Sequence, residues 1–269
     1  MRSKGRPTAT VGSWLSDVLH AGGTGGLKWH VHARYSLNRW RPTIDAIEKY
    51  LLTVETTPSK ELVLIGGSAG WMMSTQWLHK FSHLHTYDID PFAHRLFQWR
   101  HGQALQKSGT TLTAHRQDAI ETLPLIARSH PDALFWFDNV LGQHRFRLDN
   151  EDLAEKQILQ IQNILAGKNW GSLHDRYSGP LEKPLLALQV PLLCANMTLI
   201  NVEGGVRYNN QLLSNDEVAQ QMLVNINATG TWQDHGTTYL LPMGTERKWI
   251  PWAFKLLYAH WLEIAWVKA

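Results

Sequence analysis

ELVLIGGSAGW (61–71), MMSTQWLHKF (72–81) and HLHTYDIDP (83–91) decide the fold. The first opens with four aliphatic residues, Leu62-Val63-Leu64-Ile65, and stops abruptly at Gly66-Gly67-Ser68-Ala69-Gly70. An apolar run of this kind ending in glycines predicts a buried parallel strand. Glycines there allow a tight turn and the close approach of a ligand that a Cβ would block. Residues 72–81 predict a helix whose free N–H groups face whatever lies over the turn. A second strand, 84–87, closes on Asp88, which lies 18 residues after Gly70. A carboxylate at the tip of the second strand of a β-α-β unit can accept hydrogen bonds from both hydroxyls of a ribose. The stretch therefore predicts half of a nucleoside site.

A dinucleotide fingerprint, G-x-G-x-x-G, would need glycines where Ser68 and Trp71 stand, so a pyrophosphate ligand is disfavoured. Residues 62–70 instead resemble motif I of the class I S-adenosylmethionine-dependent methyltransferases. Gly66 and Gly70 fall on its first and last glycines, while Ser68 replaces the middle glycine and Leu64 the usual acid. Asp88 falls on the acid of motif II, which in that family holds the ribose. The resemblance implies a Rossmann-like, seven-stranded α/β sheet with helices on both faces and S-adenosylmethionine as cofactor, leaving as S-adenosylhomocysteine. Gly66, Gly67, Ser68, Gly70, Asp88 and Ile89 are the cofactor residues it implies in this stretch.

The chain beyond keeps the same phase. A helix is expected over 92–107, then a third strand over 110–115 leading to Asp118-Ala119, where the family contacts adenine. Asp118 also suits a helix N-cap. The fourth strand, 133–137, ends in Asp138-Asn139, which resembles motif IV beside the transferred methyl. It is not the Pro-Pro-Tyr type of the amino-methylating nucleic-acid enzymes, and Cys194 lacks the Pro-Cys setting of the cytosine-C5 enzymes. A helix over 152–165 leads to a fifth strand, 170–173, ending in His174-Asp175. Successive strands thus end in polar clusters, and ligands of open parallel sheets bind outside the carboxyl ends of the strands.

The flanks are less ordered in pattern. A short helix is expected over 13–20, a flexible glycine loop at 22–26, a polar segment over 28–35, and a helix from Pro42 through Leu52. The resemblance places extra N-terminal elements over the active site, which makes His30, His32, Arg34 and Tyr35 acceptor contacts. Residues 178–214 read as an irregular insertion over the sheet. A helix over 216–224, a strand over 231–241 and a last, partly exposed antiparallel strand over 257–267 complete the pattern. Two units are expected: residues 1–55, a basic extension and helix covering the site, and 56–269, the cofactor-binding domain with its insertion at about 178–214.

Composition narrows the class. The chain has 269 residues, 43% hydrophobic and 18% charged, enough for one large α/β domain. Residues 1–42 carry seven Lys or Arg against Asp17 alone, so the basic character is N-terminal; over residues 1–10 it reads as a solvated tail. The single Cys194 rules out an internal disulfide and a cysteine-based zinc site, and its apolar surroundings predict an inert thiol. No metal is expected. No apolar run reaches membrane-spanning length and no secretory signal opens the chain, so a cytosolic protein without a membrane partner is expected.

The function expected is methyl transfer to an O or N atom of a small molecule or a peptide side chain, with nucleic acid disfavoured as acceptor. His174 is the expected general base and Asp175 its orienting partner, since histidine suits proton transfer at neutral pH. His144 is the reserve base and, with Tyr177, a further acceptor contact. Three alternatives stay open. Decarboxylated S-adenosylmethionine would make the reaction an aminopropyl transfer. Asp138 and Asp175 could hold magnesium for a cation-dependent O-methyltransferase. Leu64 and Ser68 also admit a catalytically silent subunit that binds RNA or a protein.

Overall fold

The computed structural model describes residues 25–56, 59–147, 151–195 and 197–269. The expected helix over 13–20, the basic tail and most of the glycine loop lie outside the described residues.

The sheet follows from the alternation within β1 (Glu61–Ile65). Leu62 and Leu64 enter one apolar cluster, Val63 and Ile65 another, and all four are buried. A strand buried on both faces must be covered on both, and helices supply the cover. β2 (His83–Asp88) and β4 (Leu134–Asp138) flank β1 in parallel. β3 (Thr111–Arg116) pairs with β2, and β5 (Trp170–Pro180) with β4. Beyond β5 come β11 (Tyr258–Val267), antiparallel to it, and β10 (Glu246–Lys255), antiparallel to β11. The order β3-β2-β1-β4-β5-β11-β10 contains six of the seven expected strands, with the last strand of the chain antiparallel as expected. β11 is buried over most of its length, where partial exposure was expected.

Four further strands extend this plan. β6 (Thr198–Val202), β7 (Gly205–Tyr208) and β8 (Gln211–Leu213) form a meander that continues the sheet from β10. Residues 178–214 are therefore not an irregular cover: β5 runs on to Pro180 and the insertion widens the sheet. The expected strand over 231–241 shrinks to β9 (Gln233–Asp234), paired with the distal part of β5. Asp234 accepts the Gly236 N–H at 2.7 Å, and that local turn ends the pairing. The remaining place in the order, beside β11, is taken by β10, which Gly244 releases from the loop at φ 82°.

α1 (Leu27–Thr53) is one 27-residue helix, where a polar segment and a helix starting at Pro42 were expected. Ala33, Trp40, Ile44, Ile47 and Leu51 form one buried stripe against the sheet. Pro42 sits inside the helix, where a missing N–H and a ring clash cost about 3 kcal/mol. Tertiary contacts around it offset that cost. Thr43 Oγ1 donates to the Pro251 carbonyl (2.9 Å), and Arg39 Nε to that of Ala253 (3.0 Å).

Residues 72–81 are mostly turns around the short α2 (Thr75–Leu78) rather than a helix. The helix expected over 92–107 is α3 (Ala93–Phe97), one π-helical turn (Gln98–Gly102) and α4 (Gln103–Lys107). These elements join α1 on one face of the sheet. The other is covered by α5 (Ala119–Ser129), α6 (Leu141–Arg147) and α7 (Glu151–Ile164). α8 (Gln189–Ala195) precedes the meander, and α9 (Asn215–Asn225) packs Val218 and Met222 onto it and onto Trp249 and Trp261.

One irregularity in β5 matters below. Trp261 stands opposite Tyr177, yet Leu262 stands opposite Asp175, so Arg176 is skipped. An extra residue in one strand shifts which side chains face each side of the sheet.

Candidate active site

The carboxyl ends of β1 to β4 meet in a cavity of about 510 Å³. Gly66 turns the chain out of β1 at φ 72°, and a Cβ there would lie 2.6 Å from Val140 Cβ, so only glycine fits without displacement. Gly70 ends the turn at φ 65°, pressed against His101 of the π-helical turn, whose Nε2 would lie 2.4 Å from an added Cβ. Ser68, between them, also has a positive φ of 49°, and its Oγ accepts the Trp29 indole N–H at 3.1 Å.

Asp88 ends β2 and is held by backbone alone. Ser68 N–H donates to Oδ2 and Asp90 N–H to Oδ1, each at 2.8 Å. Two accepted bonds leave both oxygens with further lone pairs for ligand hydroxyls. Burial pushes the Asp88 carboxyl up to about 6, against the pull of these two bonds. Burial, with the neighbouring Asp88 charge, pushes Asp138 up to about 8. Two recessed carboxyls with few cations nearby favour a ligand that brings positive charge. Asn139, in the left-handed region at φ 53°, lines the same cavity, and its Oδ1 is buried without a hydrogen-bond partner among the described residues. Asp118 lines the cavity as well and caps α5, accepting Ile120 N–H at 3.0 Å.

The opposite wall comes from β5, β10, β11 and α1. Trp29, Trp252, Phe254 and Tyr258 make it aromatic, and Lys255 adds a cation. His260 projects from β11 into this wall. Its Nδ1 is 2.8 Å from Asp175 Oδ1, and its Nε2 is buried with no hydrogen-bond partner among the described residues. Asp175 is fully buried and also accepts from Gln143 Nε2. Burial alone would raise the Asp175 carboxyl, but the His260 charge and hydrogen bond, with His235 and Gln143, hold it below the ordinary value. An ionised Asp175 fixes the proton of His260 on Nδ1 and leaves the Nε2 lone pair on the cavity side. His235, also on this wall, is within bonding distance of Ser178 Oγ and the Gly142 carbonyl, both at 2.9 Å.

The cavity gathers Gly66, Gly67, Ser68, Asp88, Ile89, Asp118, Ala119, Asp138 and Asn139, while Gly70 sits just behind the turn. The expected base is displaced. His174 is not at a strand end but in the middle of β5, fully buried on the opposite face, 3.3 Å from Glu263 and 3.0 Å from Ser172 Oγ. Asp175 keeps its orienting geometry toward a different histidine.

None of the other acceptor contacts lines the cavity. His30 is buried, 2.9 Å from Asp90 Oδ2, and its Nδ1 accepts the Trp71 indole N–H. His32 packs on Trp40 and Phe254, Arg34 lies over Trp99, and Tyr35 is 85% exposed. His144 reaches Gln157, and Tyr177 is buried against Trp249 and Trp261. All four of the N-terminal residues were expected in an open segment; on a helix the buried stripe sends them elsewhere. Sequence reasoning missed His260, His235, Gln143, Lys255 and the aromatic wall. No local pattern marks them, because they come from strands, helices and a loop far apart in the chain and only the tertiary fold brings them to the site.

Two groups of metal-capable side chains occur among the described residues: Asp175 with His235 and His260, and Glu61 with His85 and His130. Asp138 belongs to neither. Among the described residues, no helix is long and apolar enough to cross a membrane.

No protein-family model matches the sequence, and no curated protein matches it. Among solved structures, the chain is similar to the magnesium protoporphyrin IX methyltransferase of Synechocystis PCC 6803 with bound S-adenosylmethionine. The identity is 11%, over 96% of this chain and 92% of the other, with a TM-score of 0.43. It is also similar to the N-methyltransferase NodS of Bradyrhizobium japonicum WM9 in complex with S-adenosylhomocysteine, at 12% identity over 87% and 98%, TM-score 0.40. An O-methyltransferase family protein of Burkholderia thailandensis matches at 12% identity over 88% of this chain and 58% of its own, TM-score 0.37. At TM-scores below 0.5 these likenesses transfer no function to the chain.

Proposed function

We propose that this chain is an S-adenosylmethionine-dependent methyltransferase acting on an O or N atom of a small-molecule or peptide acceptor. One observation carries the proposal: the glycine turn, Asp88, Asp118 and Asp138 line one cavity, and an Asp-held histidine stands in its opposite wall. The fit to the cofactor rests on chemistry. Asp88 offers free lone pairs to a ribose, the recessed carboxyls suit a cationic nucleoside without phosphate, and Asn139 Oδ1 lacks a donor. Residues 1–55 act as the cover in this proposal and 56–269 as the cofactor-binding unit.

When bound, the cofactor supplies a methyl group made electrophilic by its sulfonium. The residues of the chain orient and deprotonate. Trp29, Trp252, Phe254 and Tyr258 hold a flat, largely apolar acceptor, and exclude water from it. His260 Nε2 takes the proton of the acceptor hydroxyl or amine as the acceptor oxygen or nitrogen bonds the methyl. The cofactor would keep the electron pair of the broken carbon–sulfur bond and leave as a neutral thioether. Asp175 stabilises the imidazolium that results.

Calorimetric titration with S-adenosylmethionine and S-adenosylhomocysteine tests the cofactor. Binding by wild type should fall about 100-fold in Asp88→Ala, since hydrogen bonds to a charged group are worth roughly 1.5–3 kcal/mol each. Folded wild type that binds neither compound would end the proposal. A second arrangement, a cation on Asp175, His235 and His260, has the cluster itself in its favour. Both nitrogens of His235 lie within hydrogen-bond distance of protein oxygens, which favours the metal-free dyad. Turnover that survives a chelator supports the dyad.

A further inference from the structure

We infer that Glu61, His85 and His130 form a binding site for a divalent transition-metal ion of the zinc type, separate from the cavity. The three come from distant parts of the chain: the first residue of β1, the middle of β2, and the residue that follows α5. Their donor atoms converge. Glu61 Oε1 lies 2.6 Å from His130 Nδ1 and 3.1 Å from His85 Nε2. One ion with bonds of about 2 Å fits among such atoms with small adjustments, since donors around a tetrahedral centre sit about 3.3 Å apart.

The setting suits a metal. Two imidazoles and a carboxylate favour zinc, cobalt, nickel or copper over magnesium or calcium, which take oxygen ligands. The side chains are 29%, 20% and 12% exposed for Glu61, His85 and His130, so a water can complete the shell. His130 Nε2 lies 3.0 Å from Tyr87 Oη, so with Nδ1 on the metal it can donate its N–H to the phenol. Such an outer partner fixes the tautomer and ring plane of a metal-bound histidine. Tyr87 is itself held flat by His115, at 4.3 Å between ring centres.

The site lies toward the amino ends of the strands. β1 rises about 13 Å from Glu61 to Ile65, which borders the cavity, and Tyr87, which also lines the cavity, stands between it and the ion. Its role is a staple between β1, β2 and the end of α5. The inference does not rest on methyl transfer.

Titration of the full chain with Zn²⁺ and Co²⁺, followed by calorimetry and visible absorption, tests it. One equivalent should bind. The affinity should fall at least tenfold in His85→Ala, in His130→Ala and in Glu61→Gln, and stay unchanged in His260→Ala. The wild-type thermal midpoint should rise with Zn²⁺ and return with chelator, a readout that needs no variant. No uptake, no thermal shift, uptake that survives both histidine variants, or uptake lost only in His260→Ala would each overturn the site. Cofactor titrations at saturating Zn²⁺ and with chelator should agree, so failure here is separable from failure of the proposed activity.

Discussion

The two walls of the cavity are assembled in different ways. On the glycine-turn wall the partners are near in sequence: Ser68 and Asp88, 20 residues apart, share one hydrogen bond across a single β-α-β unit. On the histidine wall Asp175 and His260 are 85 residues apart, and His235 and Gly142 are 93 apart. The first wall is a local motif; the second is a product of strand pairing. On the proposed function the contrast gives each wall one task, binding the donor or handling the acceptor, and that division can be broken.

The largest effect should come from the second wall. His260→Ala should lower turnover by ~10²–10⁴-fold, the usual contribution of a positioned base, while calorimetry shows cofactor affinity unchanged. Equal losses in both would break the division between walls. His174→Ala should leave the pH profile of turnover unaltered, because its ring faces Glu263 on the other side of the sheet.

A smaller effect should come from the first wall through pH. Burial raises Asp88 to about 6, so the folded protein holds that proton more tightly than the unfolded chain does. The unliganded fold is therefore most favoured with Asp88 protonated, and loses this contribution as pH rises from about 4 through 6. Ligand hydroxyls need the ionised form. Affinity for S-adenosylhomocysteine should rise over the same interval, and calorimetry on Asp88→Asn should show no such rise.

The smallest effects mark residues outside both walls. Arg34→Ala and Tyr35→Ala should change stability by no more than about 0.5 kcal/mol in denaturant unfolding and leave turnover intact. A larger change in turnover would extend the acceptor wall along α1.

How much was legible follows the same division. The strand-turn-helix phase from Glu61 to Asp138 could be read because glycines at positive φ and carboxylates at strand tips leave local marks. Nine of the ten expected cofactor residues border the cavity for that reason. The N-terminal residues misled, because His30, His32, Arg34 and Tyr35 look like a polar loop. Their helix is decided by Trp40, Ile44 and Leu51 packing on a sheet not yet formed at that point of the chain. His174 was the natural choice beside Asp175, but β5 runs through both to Pro180, and adjacent residues of a strand face opposite ways. No rule of spacing reaches His260.

The skipped Arg176 in β5 has a consequence for how such a protein can change. Because of that extra residue, Asp175 and Ser178 share one side of the sheet, although three positions separate them, and Ser178 stands opposite His260. Deleting Arg176 would leave Asp175 opposite Leu262, Tyr177 opposite Trp261 and Ser178 opposite His260, so the pairing on both sides of the bulge survives its loss. An added residue between Asp175 and Ser178 would instead put the strand beyond it out of phase, and on the proposed function the acceptor wall would be scrambled while the glycine turn kept its ligand. The vulnerability of this site thus lies in frame rather than in identity. On the proposed function, substitutions in β5 would tune the reaction, whereas a single-codon insertion would part ligand binding from methyl transfer in one step.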